Sequence, residues 1–251
     1  MFDLRGKLPV SEMFLSIQGE GPRAGTPSLF IRTAFCNLTC SWCDSKYTWD
    51  WSRYRMDEQV QPMTETEVAE RALNMLADNK VRNLVLTGGE PLLHQAKLAS
   101  VLKALKTKVD LTVEVETNGT IPPQPYFDQY VSNYVCSPKL SNSGIPRQLR
   151  IKPAVLRSFV ENQKAVFKFV VMNDCDVKEF LEELVKPYGI RAGRVWVMPE
   201  GTDAETVVER SKRLVEECKR YGFNFSTRLR ISIMGQRASH LACRPRKQLW
   251  R

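Results

Sequence analysis

Apolar runs of β character alternate along the chain with segments whose apolar residues recur at helical spacing. Ser28 to Arg32 (SLFIR) predicts a strand. Thr64 and Glu67 form a capping-box pair ahead of Val68, Ala72, Leu73 and Leu76, which predicts a helix start. Asn83 to Thr87 (NLVLT) predicts a strand running into Gly88-Gly89, Leu98, Val101, Leu102 and Leu105 a helix, and Leu111 to Glu116 (LTVEVE) a further strand. Shorter β runs stand at 134–137 and 165–171, the latter followed by a helix carrying Phe180, Leu181, Leu184 and Val185. Residues 195–198 predict another strand, and Thr202 with Glu205 a second capping box, opening a helix through Val207, Leu214 and Cys218 to a stop at Gly222. Residues 224–233 read as β structure, whereas 49–63 and 141–153 read as loops.

Strand–helix repetition of this kind predicts an α/β fold: a mostly parallel sheet with helical crossovers. About six strands are too few for an eight-fold barrel, so the expectation is a partial, open TIM-like barrel, with its chemistry at the C-terminal ends of the strands. At 251 residues the chain is expected to form a single domain, 1–251, with a basic tail over about 234–251.

Hydrophobic content of 43% and charged content of 26% are those of an ordinary globular protein. No apolar stretch has the length of a membrane span. Asp3, Lys7 and Glu12 interrupt the N-terminal sequence, so no signal peptide is expected and a cytoplasmic location is the default. The net charge of +9 raises the question of a nucleic-acid partner. However, Arg228 to Arg251 hold seven Lys or Arg and no acid, a pattern expected of a solvated tail or subunit contact. Direct nucleic-acid binding is therefore not the expectation.

Four of the seven cysteines are scattered singly, as buried small side chains are, but Cys36, Cys40 and Cys43 fall within eight residues after the first predicted strand. Three thiolates on one loop suit an iron–sulfur cluster or zinc, and structural zinc takes a fourth ligand. The chain has only two histidines, His94 and His240, and neither is close in sequence. Cys-x-x-x-Cys-x-x-Cys in this place resembles the radical S-adenosylmethionine signature. There, three thiolates leave one iron of a [4Fe–4S] cluster open to chelate the cofactor.

Polar turns close the next strands: Thr87-Gly88-Gly89-Glu90-Pro91, then Glu116-Thr117-Asn118-Gly119, then Ser137-Pro138-Lys139. Paired glycines let a backbone approach a ligand closely. Ahead of the first predicted strand, Gln18-Gly19-Glu20-Gly21 sets an amide beside a carboxylate, which suits a ring presenting an N–H and NH2 edge. Arg32 has the fork that pairs a carboxylate.

SIQGEG, FIR, CNLTCSWCD, TGGEP, VETNGT, CSPKL and VWVMPEGTD together resemble the 7-carboxy-7-deazaguanine synthase family over nearly the whole chain, weakening at the C-terminus. The resemblance implies a carbon–nitrogen lyase of 7-deazapurine (queuosine-type) biosynthesis. It would convert 6-carboxy-5,6,7,8-tetrahydropterin to 7-carboxy-7-deazaguanine with loss of ammonia, through an adenosyl radical and with S-adenosylmethionine regenerated. It further implies a [4Fe–4S] cluster on Cys36, Cys40 and Cys43, and Mg2+ at Ser45, where the family commonly has threonine. Cofactor contacts would come from Trp42, Cys43, Asp44, Gly89, Glu90, Glu116, Asn118, Ser137, Pro138 and Lys139. Substrate contacts would come from Ile17, Gln18, Gly19, Glu20, Arg32 and Thr87. A reducing partner such as flavodoxin or ferredoxin and a homodimer belong to the same expectation. Two alternatives stay open: an activase that makes a glycyl radical on a partner protein, and a basic nucleic-acid-binding protein with a structural metal.

Overall fold

A computed structural model describes residues 3–77 and 79–234. Nine strands, numbered in chain order, form one sheet: β1 Leu8–Ile17, β2 Pro27–Thr33, β3 Gln61–Met63, β4 Asn83–Gly88, β5 Thr112–Thr117, β6 Asn133–Cys136, β7 Ala165–Val171, β8 Val195–Pro199 and β9 Asn224–Phe225. Their order is β3-β1-β2-β4-β5-β6-β7-β8-β9. From β2 through β9 every neighbouring pair is parallel, while β1 pairs antiparallel with both β2 and β3. β3 and β9 end the order and do not pair with each other among the described residues, so the sheet is open, as expected of a partial barrel.

The strand count corrects the expectation of about six. The largest omission is β1, a ten-residue strand. Its register with β2 shifts between Val10 and Glu12, and the buried positions run Leu8, Pro9, Val10 and then Met13. That bulge breaks the period-2 signal by which a strand is recognised. The 49–63 segment, read as loop, contains a short helix, Met56–Gln59, and β3. Residues 224–233 are also corrected: β9 has two residues, and Leu229–Met234 is a helix. The tail beyond 234 lies outside the described residues.

The two faces of the sheet differ. Leu29, Ile31, Leu84, Leu86, Val113, Val115, Phe167 and Phe169 join the main core with the helices. Helix Glu65–Ala77 contributes Val68, Ala72 and Leu76, and helix Gln95–Lys106 contributes Leu98, Leu102 and Leu105. The alternate positions carry Glu12, Arg32, Thr87, Glu114, Glu116 and Lys168. Because strand side chains alternate, one face is apolar under helices and the other is free to carry chemistry.

The Thr64–Glu67 capping box forms, with the Thr64 N–H donating to Glu67 at 2.7 Å. At the second predicted helix start the cap is Asp203 rather than Thr202, and its carboxylate accepts the Thr206 N–H at 2.8 Å. Helix Ala204–Tyr221 then ends at Gly222 with φ 71°, the left-handed stop expected there.

Candidate functional site

The polar face opens into a cavity of about 220 Å³. Among the residues expected to bind cluster, cofactor, magnesium or substrate, all but Glu90 and Pro138 line it. They arrive from separate segments: Ile17 to Glu20 at and just past the end of β1, Arg32 on β2, Cys36 to Ser45 on the following loop. Thr87 and Gly89 come from the end of β4 and just past it, Glu116 and Asn118 from the end of β5 and just past it, and Ser137 and Lys139 from just past β6.

The cysteine loop is held on all sides. Phe35, at its entry, has φ 69°, the one non-glycine residue in the left-handed region among the described residues. The Phe35 N–H donates to Thr48 at 2.7 Å, and its carbonyl accepts the Glu90 N–H at 2.8 Å. A Cβ on Gly89 would lie 2.0 Å from the Phe35 oxygen and 2.8 Å from the Cys36 nitrogen. A Cβ on Gly88, where φ is 141°, would lie 2.1 Å from the Thr33 oxygen. Both glycines therefore admit neighbouring backbone, and both also border the cavity.

Glu90 is fully buried behind this junction. Its carboxylate accepts from the N–H groups of Leu92 at 3.0 Å and Asn118 at 2.7 Å, and from the Thr117 hydroxyl at 2.8 Å. Within the chain these bonds fasten the GGEP turn to the end of β5.

The three cysteines suit an iron–sulfur cluster. N–H groups point at two of the sulfurs: Leu38 to Cys36 Sγ at 3.4 Å, and Trp49 Nε1 to Cys43 Sγ at 3.3 Å. Such donors stabilise sulfur that carries negative charge. Burial pushes the Cys36 thiol up to about 12 and also raises that of Cys40, so ionisation there calls for a bound cation. Among the described residues no group of three or more His, Cys, Asp or Glu is drawn together for a single metal ion. Ser45 is buried with its hydroxyl 3.7 Å from Cys43 Sγ, leaving a hard oxygen at the cavity wall.

Lys139 donates to the Ser137 hydroxyl at 3.1 Å and lies 5.4 Å over the Trp42 ring, whose Nε1 donates to Asn142 at 3.2 Å. These groups flank the cysteine loop with donors and an aromatic face. Asn118 donates to Asn37 at 2.9 Å, and its oxygen accepts from Thr120.

On the other side, Arg32 is held by Glu12 at 2.8 Å and stacks over Phe14; Tyr47 donates to the same Glu12 oxygen at 2.7 Å. Burial disfavours the Arg32 charge, but the surrounding acidic groups Glu12, Asp44 and Glu116 help keep it protonated. Phe14 and Phe30 stack with centroids 4.9 Å apart and planes within 3°.

Gln18 is 2% exposed, and its amide is already engaged. Its Nε2 donates to Glu114 at 2.5 Å and Glu116 at 3.1 Å, while its Oε1 accepts the N–H groups of Gly19 and Glu20. Thr87 donates to the other Glu116 oxygen at 2.7 Å. Gln18 therefore orients the turn and Glu116 in the described geometry.

Glu20 meets Lys168 at 2.6 Å and Arg228 at 3.3 Å. Burial pushes its carboxyl up, but these two cations outweigh burial and hold it at about 2. The sequence reading did not single out Lys168, although a lone charge inside the apolar run AVFKFVV was its signal. Nor did it single out Glu12, Tyr47 or Arg228. Arg228 had been grouped with the basic C-terminal excess expected in a solvated tail, yet it is 8% exposed and points into the site.

Comparison with known proteins accords with this arrangement. Residues 30–135 match the radical SAM superfamily. The chain is 39% identical over 233 residues to the 7-carboxy-7-deazaguanine synthase of Pyrobaculum aerophilum, covering 91% of this chain and 96% of that one. It is 35% identical over 230 residues to the Hyperthermus butylicus enzyme of the same name, covering 90% and 92%. The crystal structure of QueE from Escherichia coli superposes with a TM-score of 0.65 at 23% identity, over 88% of this chain and 93% of that one, and shares the fold. A [4Fe–4S] cluster and S-adenosylmethionine are the cofactors of the superfamily. With its three cysteines on one loop and its relatives aligned over nine-tenths of its length, this chain belongs to the 7-carboxy-7-deazaguanine synthase family of radical SAM enzymes.

Proposed function

We propose that this chain converts 6-carboxy-5,6,7,8-tetrahydropterin to 7-carboxy-7-deazaguanine with release of ammonia. The observation that carries the reading is one cavity bordered at once by the three cysteines, by the charge-locked Glu20 and by Arg32. Cys36, Cys40 and Cys43 would hold the cluster. When bound, cluster and S-adenosylmethionine supply one-electron chemistry that yields a hydrogen-abstracting carbon radical.

The chain's own groups supply recognition. An ionised Glu20 is an acceptor only, so it favours a ring edge of N–H and NH2 donors and disfavours an edge of acceptors. Arg32 uses Nε on Glu12, and its terminal N–H groups are the assigned partners of the substrate carboxylate. Glu116, fixed by Thr87 and Gln18, offers an acceptor on the side assigned to the cofactor. Trp42, Asp44, Gly89, Asn118, Ser137 and Lys139 form the wall assigned to the cofactor, and Ile17, Gly19 and Thr87 the wall assigned to the pterin. Ser45 is the assigned Mg2+ ligand, a hard oxygen suited to that ion.

The chain is further read as one radical SAM domain, with 234–251 as a basic appendage. A flavodoxin- or ferredoxin-type reductant and a homodimer complete the proposal.

The test is anaerobic incubation of reconstituted protein with S-adenosylmethionine, dithionite, Mg2+ and the pterin, followed by mass spectrometry. The ring-contracted acid is the expected product. Full turnover by Cys40→Ala would exclude the radical mechanism; that variant should lose the brown cluster absorbance and all activity.

A further inference from the structure

Arg228 occupies a junction that the reaction alone does not call for. It follows β9, where the Ser226 hydroxyl accepts the Gly21 N–H at 2.8 Å. It precedes the helix Leu229–Met234, whose Leu229 N–H donates to Gly19 at 3.0 Å. The segment 226–229 therefore grips the backbone of the Gly19–Gly21 turn on both sides of Glu20, through the Ser226 hydroxyl and the Leu229 N–H. Between those two bonds the guanidinium spreads three ways. It pairs with Glu20 at 3.3 Å, bonds Asp44 next to the last cysteine, and donates to the Gly201 carbonyl past β8 at 2.7 Å.

Glu20 belongs to the wall assigned to the pterin, and Asp44 to the wall assigned to S-adenosylmethionine. We infer that Arg228 is a positioning residue that ties Glu20 to Asp44, so that filling one ligand site raises affinity at the other. The inference rests on the proposed function for the identity of the two ligands. A planar fork with several fixed N–H donors can serve both carboxylates and the carbonyl at once, whereas a lysine ammonium is a single point charge on a flexible stem. Arg228 is 8% exposed, so the guanidinium at the centre of the bridge is shielded from solvent, while the Asp44 side chain at its outer end is 47% exposed. Lys168 holds Glu20 from the other side without reaching Asp44, which makes it a control for charge without bridging. Coupling of this kind is reciprocal: whatever factor the cofactor adds to pterin affinity, the pterin adds to cofactor affinity.

The experiment is equilibrium binding to the anaerobic, cluster-loaded protein. Pterin affinity is measured with and without S-adenosylmethionine and without reductant, so that no turnover occurs. In the wild-type protein the cofactor should tighten pterin binding at least about five-fold. Arg228→Ala should keep the cluster absorbance, weaken pterin binding about ten- to hundred-fold, and bring the cofactor's effect close to unity. Arg228→Lys restores a cation beside Glu20 and is the variant of choice if the alanine form fails to fold. It should recover much of the pterin affinity yet show no coupling. Equal coupling in wild type and Arg228→Lys would overturn the inference, as would independent binding of the two ligands in wild type. Failure of the wild-type protein to bind the pterin at all would instead overturn the proposed function, and with it the substrate named here.

Discussion

Two kinds of constraint act on single residues in the cavity. Arg32 is already paired with Glu12 at 2.8 Å, so its guanidinium is aimed before substrate arrives. Arg32→Ala should leave cluster assembly intact and raise the apparent KM for the carboxylated pterin about ten- to hundred-fold, the cost of a lost charged hydrogen bond. Unaltered affinity would remove the role given to this arginine. Gly89 is constrained by space, since any Cβ there would overlap the backbone at Phe35 and Cys36. Gly89→Ala should therefore displace the cysteine loop, and the reconstituted variant should show a reduced iron content by colorimetric assay. Wild-type iron loading would show that the loop can give way.

Elements are held by their apolar stripes, and the cost of losing one side chain depends on its face. In helix Gln95–Lys106, Leu102 is fully buried under the sheet while Lys103 is exposed. Leu102→Ala should cost about 2–5 kcal/mol, lowering Tm by several degrees in a thermal melt. Lys103→Ala should stay within about 0.5 kcal/mol of wild type. A small effect at Leu102 would mean that the helix does not pack on the sheet as described. β1 is an element of another sort: its bulge at Ser11 switches which face its side chains take. That switch presents Glu12 and Phe14 beside Arg32 and Phe30 across the register with β2.

For the molecule as a whole, the charge network across the polar face sets an acid limit. Glu20 ordinarily titrates near 4.5 and is held at about 2 by Lys168 and Arg228. Its folded value is depressed, so its contribution to stability is complete above about 4.5 and is lost as pH falls toward 2. Lys168→Met removes one partner and leaves the carboxylate partly buried. Its destabilisation relative to wild type should be largest above pH 4.5 and shrink between 4.5 and 2, as read by urea unfolding at a series of pH values. A pH-independent difference would place the effect in packing and exclude the ion pair.

The sequence by itself determined the chemistry of the cysteine loop, the parallel α/β class and the turns that close β4, β5 and β6. These are local signals: a ligand spacing, a run of β-formers, a glycine pair beside an acid. Tertiary structure alone decided that Gln18 spends its amide on Glu114 and Glu116, that Glu90 fastens backbone, and that Gly88 and Gly89 make room for neighbouring chain. It also drew Lys168 and Arg228 onto Glu20 across 148 and 208 residues of sequence. Periodicity reports which face a residue takes, but not which distant side chain shares that face. A buried arginine near the basic end of a chain looks, residue by residue, the same as a solvated one until the sheet brings it to its partners.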